Sequence, residues 1–324
     1  MKRLLTVITT TLPLLAAAGP ASAAAAKPYV PAGVRAGYVV FDRQMGRVTA
    51  QRDAHRRFRS ASVVKIMIAI DYLESHGSVP GNDLALLRKM LRVSDDDAAT
   101  SFWRRGGQGR IVERMARKLR LTDTAPPPAD KPGFWGYTSL SAMDVARTYR
   151  YLLDGAAPRV SRLVLGHLRN AEQCGSDGFD QYFGIPRAVP RPWAVKQGWS
   201  GYGSTPPIRC VPAAGAGTAS QTAPGSTPSE ATAPPTAQPP PASATASTTV
   251  SAVAQTAAAA TTAASPVPDL GHPVLHTTGL VGPKERWIMV LLTAHPSGTT
   301  WRRSTGQTTT LARQVYLSGT SYNS

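Results

Sequence analysis

Short stretches rich in aliphatic, aromatic and β-branched residues predict five strands. The first two are separated by a short turn through Arg43–Gly46, which predicts a hairpin. The other three lie in the second half of the chain. The predicted strands are residues 37–42, 47–52, 193–199, 274–280 and 286–293.

Apolar residues at helical spacing predict a block of helices between the second and third strands, and one helix near the end of the chain. These helices are predicted at 63–77, 82–91, 95–104, 108–119, 141–154, 159–170 and 307–317. Two strands, a helical block, three strands and a closing helix indicate an α+β fold. We expect an antiparallel sheet, assembled from the N-terminal and C-terminal strands and flanked by helices, with a small helical subdomain.

Residues 211–268 interrupt this pattern between the third and fourth strands. They are almost entirely Ala, Thr, Pro, Ser and Gly, with Glu230 the only charge and no aromatic residue. Such a composition cannot bury enough apolar surface to fold. We therefore predict a disordered insert at 211–268 within one folded domain, formed by residues 36–210 and 269–318.

The first residues have the pattern of a secretory signal. Lys2 and Arg3 precede a short apolar run, and Ala21-Ser22-Ala23 has the form of a small-residue cleavage site. No cysteine stands there to take a lipid, and nothing later is apolar enough to span a bilayer. We expect a signal peptide at 1–23, a linker at 24–35, no transmembrane segment and a secreted protein that can associate with the cell wall.

The formal net charge is +17, spread over many arginines. A basic exported protein is expected to associate with anionic partners such as wall polymers. No basic stretch is interleaved with aromatic residues, so the sequence does not predict binding to nucleic acid.

The chain has two cysteines, Cys174 and Cys210. In an exported protein they are expected to form one disulfide, which would contribute about 3 to 4 kcal/mol in the chain-entropy model. Two free thiols are the alternative.

One polar residue stands out in the apolar helix that begins near Val63. Lys65 lies three residues after Ser62, a spacing that stacks both side chains on one helix face. Burial lowers the pKa of an amine, so Lys65 could accept the proton of a nucleophilic Ser62. In the alternative interpretation, Ser62 only caps the helix and Lys65 extends to the surface.

Two further motifs follow in order: Ser94-Asp95-Asp96 and Lys196-Gln197-Gly198. With Ser62-Val63-Val64-Lys65, this order resembles the serine β-lactamase and penicillin-binding protein superfamily, whose motifs are Ser-x-x-Lys, Ser-x-Asn and Lys-Thr-Gly. The resemblance covers residues 36–318 without the insert.

The resemblance implies a role for each motif residue. Ser62 would form an acyl-enzyme with Lys65 as its base, and Ser94 would relay a proton to the leaving nitrogen. Lys196 would support that transfer and draw in a substrate carboxylate. Backbone N–H groups of Ser62 and Trp199 would form the oxyanion hole. The alternatives are that Ser94 is only a helix cap and Lys196 only a solvated strand residue.

The sequence also departs from the family pattern. Asp96 stands where an asparagine is usual, and we expect its charge to raise the pKa of Lys65. Gln197 replaces a hydroxyl residue that often holds the substrate carboxylate. Asp96, Gln197, Gly198 and Trp199 are the expected substrate-binding residues.

The loop from Thr122 to Thr138 lacks the Glu-x-x-Leu-Asn pattern with which class A β-lactamases activate the deacylating water. Glu113 and Asp130 are the nearest acids, and neither matches that pattern. We therefore expect slow deacylation. The short interval from Ser62 to Ser94 implies a reduced helical subdomain.

These patterns favour an exported serine hydrolase that forms an acyl-enzyme with β-lactams or with D-alanine-terminated wall peptides. No cofactor or metal is expected. The alternative is a catalytically silent wall-binding protein of the same fold. A zinc enzyme is a weaker hypothesis, because His272 and His276 do not have the spacing of a zinc motif.

Overall fold

A computed structural model describes residues 27–212 and 267–321 of the chain. The signal peptide predicted at 1–23 and nearly all of the predicted insert lie outside the described residues. Those two assignments and the domain boundaries drawn from them remain predictions.

All five predicted strands form one antiparallel sheet, in the order β2-β1-β7-β6-β5. The α+β fold and the assembly of the sheet from both parts of the chain are therefore confirmed. A separate pair, β3 with β4, was not predicted. The strands are β1 (Arg35–Asp42), β2 (Arg47–Arg52), β3 (Phe58–Arg59), β4 (Ser139–Leu140), β5 (Trp193–Ser200), β6 (Val274–Val281) and β7 (Trp287–Ala294).

The helical block lies between β3 and β5, and each of the predicted helices is present with ends shifted by a few residues. The helices are α1 (Lys65–Ser75), α2 (Gly81–Arg92), α3 (Asp96–Arg105), α4 (Gly109–Leu119), α5 (Ala142–Asp154), α6 (Pro158–Arg169), α7 (Ile185–Ala188) and α8 (Trp301–Thr320). A 3₁₀ turn, Ala61–Val64, leads directly into α1.

The start predicted for the closing helix was wrong by six residues. Helix α8 begins at Trp301 rather than at 307, because the Thr300 hydroxyl accepts a hydrogen bond from the Arg303 amide and caps the first turn. The polar residues of that turn carry no apolar periodicity, so the pattern alone did not show it.

The side chains of the central strand β7 show that the sheet is buried on both faces. Ile288, Val290 and Leu292 belong to the core shared with the helical block, whereas Met289 and Leu291 belong to the core shared with α8. Burying each such side chain contributes about 1.5–3 kcal/mol. The strand therefore appears in the sequence as an unbroken apolar run.

Helix α1 is the centre of the helical block. Every side chain from Lys65 to Leu73 is buried, as the apolar sequence predicted. Such complete burial fixes the start of the helix, and with it the 3₁₀ turn that contains Ser62.

The disulfide expected between Cys174 and Cys210 is present, with a Cα–Cα distance of 5.5 Å. It ties the loop after α6 to the segment that follows β5. In the part of the chain that the structure describes, no helix is long and apolar enough to cross a membrane.

Candidate active site

Ser62 lies inside the 3₁₀ turn, not at a helix cap. The cap position of the turn is Ser60, and its side chain makes no capping hydrogen bond. The preceding residue, Ala61, has a φ of 44°, a left-handed conformation that is uncommon for a residue other than glycine. The interpretation of Ser62 as a simple cap is therefore wrong. The backbone of Ala61, directly before Ser62, is held in an unusual geometry of the kind that clusters at functional sites.

Gly198 allows strand β5 to run directly beside this turn. A Cβ atom at position 198 would lie 3.1 Å from both the Ser60 carbonyl oxygen and the Ser62 amide nitrogen. Any other residue would push the strand away from the serine. The structure thus brings the first and third motifs together through their backbones.

Ser94 is held between two buried lysines. Its hydroxyl oxygen lies 2.8 Å from Lys196 Nζ and 3.3 Å from Lys65 Nζ, and Lys65 also donates to the Ser94 carbonyl at 2.5 Å. The exposed fractions of the Lys65 and Lys196 side chains are 0% and 1%. Both alternative interpretations of these lysines, extension to the surface and a solvated strand position, are wrong.

The capping role considered for Ser94 belongs instead to the next residue. Asp95 accepts a hydrogen bond from the Ala98 amide at 2.8 Å and caps α3. Ser94 itself has a φ of 59°. Its hydroxyl is therefore free to contact the two amines.

The expected hydrogen bond between Ser62 and Lys65 is not formed. Among the described residues, Lys65 Nζ contacts Ser94 and the Asp96 carboxylate, at 2.6 Å for Asp96 Oδ1, and the Ser62 hydroxyl makes no hydrogen bond to it. A charge-assisted hydrogen bond to a carboxylate is about twice as strong as a neutral one. Asp96 therefore draws the amine away from the nucleophile.

The hydrogen bonds of the two amines indicate where the positive charge lies. Lys65 contacts three acceptor atoms, one of them a carboxylate, and these match the three hydrogens of an ammonium group. Among the described residues, Lys196 contacts only the Ser94 hydroxyl and the Gln197 carbonyl. Two ammonium groups on one buried hydroxyl would repel each other at low dielectric. The geometry favours a charged Lys65, with the Ser94 hydroxyl donating to a neutral Lys196.

Burial is the main cause that lowers the pKa of both lysines. At Lys65, Asp96 opposes this effect, as we expected, but does not reverse it. At Lys196 the neighbouring charge of Lys65 lowers the pKa further, and the pKa falls well below its ordinary value. This agrees with the assignment of the neutral amine to Lys196.

The loop from Thr122 to Thr138 places a tryptophan on Lys65. The Trp135 ring centre lies 4.7 Å from Lys65 Nζ, and the indole Nε1 donates to the Thr100 hydroxyl at 3.2 Å. A cation over an indole face is attracted by the ring quadrupole. The sequence did not identify Trp135, because its position depends on this tertiary contact with α3.

Asp177 is a second residue that the sequence did not reveal. It lies in the loop after α6, where its carboxylate accepts hydrogen bonds from Trp199 Nε1 at 2.9 Å and from the Phe179 amide at 3.1 Å. Although the side chain is open to a cavity, partial desolvation raises its pKa, and the nearby Asp96 adds to the rise. No periodicity or motif marks this residue.

Gln197 does not take the position expected of a substrate-binding residue. Its side chain is buried, and its amide nitrogen donates to the Phe183 carbonyl at 2.6 Å. Since this contact points into the core, the assignment of Gln197 to substrate binding is not supported.

A cavity of about 270 Å³ opens beside Ser62. Asp96 and Trp199, two of the expected substrate-binding residues, line it together with residues that the sequence did not single out. These further lining residues include Phe134, Trp135, Tyr137 and Asp177. Ser62 of the first motif and Asp96 of the second therefore line one cavity, together with Trp199, which directly follows the third motif.

Neither acid considered for water activation lines this cavity. Glu113 belongs to α4, and the Asp130 side chain is 71% exposed and paired with Lys131. Neither residue is therefore part of the cavity wall that carries Ser62.

The histidines of the zinc hypothesis have other roles. His276 is buried in β6, where one ring nitrogen contacts the Arg59 carbonyl at 2.8 Å and the other accepts from the Thr293 amide at 3.3 Å. His272 contacts the His295 carbonyl. Among the described residues, no group of three or more possible ligands is placed to hold a metal.

Solved structures of serine β-lactamases and penicillin-binding proteins resemble this fold. A class A β-lactamase from Mycobacterium abscessus has a TM-score of 0.53 and 16% identity, covering 88% of this chain and 93% of its own. PBP-A has a TM-score of 0.53 and 12% identity, covering 88% and 90%, and a PBP-A variant is described as an acyl-enzyme complex with penicillin G. The chain therefore has the fold of the serine β-lactamase and penicillin-binding protein superfamily, as the motifs implied.

A particular relative is the mycobacterial "Putative lipoprotein LppW". The proteins of this name from Mycobacterium tuberculosis and Mycobacterium bovis are 37% identical to this chain over 175 residues. The match covers 52% of this chain and 54% of LppW, so the chain spans about half the length of the curated relatives that it matches. No protein-family model matches the chain.

Proposed function

We propose that the chain is an exported serine hydrolase that forms an acyl-enzyme through Ser62. One observation carries the proposal: the Ser94 hydroxyl lies between the buried amines of Lys65 and Lys196, and Lys65 is paired with Asp96, which lines the cavity that contains Ser62. A buried amine held by a hydroxyl is a suitable proton acceptor for a serine nucleophile.

In the proposed acylation, Ser62 Oγ attacks the carbonyl carbon of an amide, and the C–O bond forms as the C–N bond breaks. The proton of Ser62 passes to a buried amine and returns through the Ser94 hydroxyl to the leaving nitrogen. The geometry favours Lys196 as that amine, since Lys65 is paired with Asp96. Backbone N–H groups of Ser62 and Trp199 are proposed to stabilise the oxyanion.

The proposed substrates are β-lactams and D-alanine-terminated wall peptides, by the resemblance of the three motifs and of the fold. Export is supported by the signal-like N-terminal sequence and by the description of LppW as a lipoprotein. Association with anionic wall polymers is proposed from the net charge of +17.

Covalent labelling tests the proposal. A fluorescent penicillin should label the purified protein at one equivalent, and peptide mapping should place the label on Ser62. The Ser62→Ala variant should take no label. A protein that binds wall polymers but takes no label would be the catalytically silent alternative.

A further inference from the structure

The cavity beside Ser62 is acidic in a strongly basic protein. The charged residues that line it, among those the structure describes, are Asp96 and Asp177, and no lysine or arginine lines it. The chain as a whole carries a formal charge of +17. The local charge is therefore opposite to that of the molecule.

Both carboxylates can reach a ligand in this cavity. The Asp96 side chain is 72% exposed, and within the described part of the chain its Oδ1 atom contacts Lys65 while Oδ2 has no hydrogen bond. Asp177 accepts hydrogen bonds from two neutral donors, and within residues 27–212 and 267–321 it forms no ion pair. The charge of Asp177 is thus not balanced by a neighbouring cation in direct contact.

Among the described residues, no cationic side chain lines the cavity wall to receive a substrate carboxylate. Lys65 and Lys196 are fully buried, and their amines already contact Ser94, Asp96 and the Gln197 carbonyl. Gln197, at the position where the family has a hydroxyl, is turned toward Phe183. A carboxylate placed beside Asp177 would instead be repelled, because Asp177 has no cation in contact among the described residues, whereas Asp96 is paired with Lys65.

The rest of the wall is aromatic, from Phe134, Trp135, Tyr137 and Trp199. Aromatic faces together with carboxylates attract ammonium groups. Two residues of this wall already bind an ammonium group of the protein itself, because the Lys65 ammonium contacts both the Trp135 face and Asp96. The chemistry of the cavity therefore suits a cation.

We propose that the cavity binds an ammonium group between Asp96 and Asp177, and that among acylating substrates the protein prefers those that carry such a group near the reacting amide. The part that concerns the substrate rests on the proposed acyl-enzyme function. The binding of the cation does not, because it requires only the cavity.

Binding is tested with two probes of nearly the same shape, choline and the neutral 3,3-dimethylbutan-1-ol, by ligand-observed NMR on the purified protein. Choline should bind about tenfold or more tightly than the alcohol. The Asp96→Asn/Asp177→Asn double variant should remove this difference, and each single variant should reduce it. These substitutions keep an acceptor oxygen for the amide and indole donors, and circular dichroism checks the fold.

Asp130→Asn is the matched control, because the Asp130 side chain is 71% exposed, against 72% for Asp96, but does not line the cavity. It should bind choline as the unchanged protein does. Equal binding of the two probes, or a choline preference that survives the double variant, would overturn the proposal.

The preference for a substrate is tested with ampicillin and benzylpenicillin, which differ by one side-chain amine. Ampicillin should label Ser62 about tenfold faster, and the ratio of the two rates should fall to about one in the double variant. Faster labelling by benzylpenicillin would reject the substrate preference. If neither compound labels Ser62, the acyl-enzyme function fails, while the choline experiment still decides whether the cavity binds a cation.

Discussion

Lys65 Nζ lies 2.6 Å from the carboxylate of Asp96, the residue at which the second motif departs from the family pattern. The departure therefore acts on the lysine that the family resemblance names as the base. It fixes a positive charge next to Ser94 and leaves Lys196 as the amine without a carboxylate in contact.

Replacing Asp96 by asparagine should accelerate acylation by benzylpenicillin several-fold. The change removes the carboxylate that keeps Lys65 charged and holds it away from Ser62, so the pKa of Lys65 should fall further and Lys65 should become available, beside Lys196, to accept the Ser62 proton. Stopped-flow labelling measures the rate. Asp97→Asn, at an exposed neighbouring position in the same helix turn, is the control and should have no effect. Slower labelling of Asp96→Asn would mean that the ion pair holds Lys65 in a required position.

Much of the fold could be predicted because its strongest patterns are local. The apolar run of β7 and the run from Ile66 to Ile70 in α1 each reflect burial on every side. The start of α8 was missed because a side-chain cap at Thr300 sets it, within a polar stretch.

The site was predictable only where short motifs mark it. Ser62, Lys65, Ser94 and Lys196 lie in such motifs, and the structure places the last three in direct contact. Asp177 and Trp135 lie in loops that are positioned by contacts distant in sequence, such as the disulfide at Cys174 and the Thr100 hydroxyl. No local pattern could show that these loops meet at the cavity.

The Lys196→Met variant should be more stable than the unchanged protein at pH 7 and should not acylate. Burial lowers the pKa of Lys196, so between that lowered pKa and about 10.4 the unfolded chain binds more protons than the folded one. The contribution of Lys196 to the free energy of unfolding therefore rises with pH over that interval. The difference in this free energy between the methionine variant and the unchanged protein should shrink as the pH approaches 10.

Lys65, Asp96 and Asp177 are the charged groups that act on Lys196, and all three remain in the Lys196→Met variant. Urea unfolding at pH 7 and pH 10 measures the difference. A variant that is less stable at pH 7 would show that the hydrogen bonds of the amine outweigh the cost of its burial.

His276 should make the protein sensitive to acid. Burial lowers its pKa to about 4, and its two ring nitrogens are used as one donor and one acceptor in the neutral form. Stability should therefore be lost as pH falls from about 6.5 to about 4, by up to roughly 3 kcal/mol from this residue. His276→Gln should reduce that loss in denaturant unfolding, whereas His55→Gln, at an exposed position, should leave it unchanged. Equal acid sensitivity in both variants would contradict the prediction.

The disulfide should stabilise the loop that carries Asp177. Cys174 and Cys210 are 36 residues apart, and closing a loop of that length contributes about 4 kcal/mol in the chain-entropy model. Unfolding with and without reductant measures this contribution, and intact mass after alkylation checks the pairing. Alkylation of both thiols in unreduced, unfolded protein would show that the bridge is absent.

The acyl-enzyme on Ser62 should deacylate slowly. The loop from Thr122 to Thr138 has no glutamate to activate water, and it places the Trp135 ring against Lys65. The adduct on Ser62 should therefore form and persist, giving a burst near one equivalent with a chromogenic cephalosporin and then slow turnover. Intact-mass kinetics should show the same lifetime, and Ser62→Ala should show no burst.

Rapid multiple turnover would contradict the prediction and direct attention to Asp177, the acid of raised pKa that lines the cavity. In that case Asp177→Asn should restore the persistent adduct, because the amide cannot accept a proton from water.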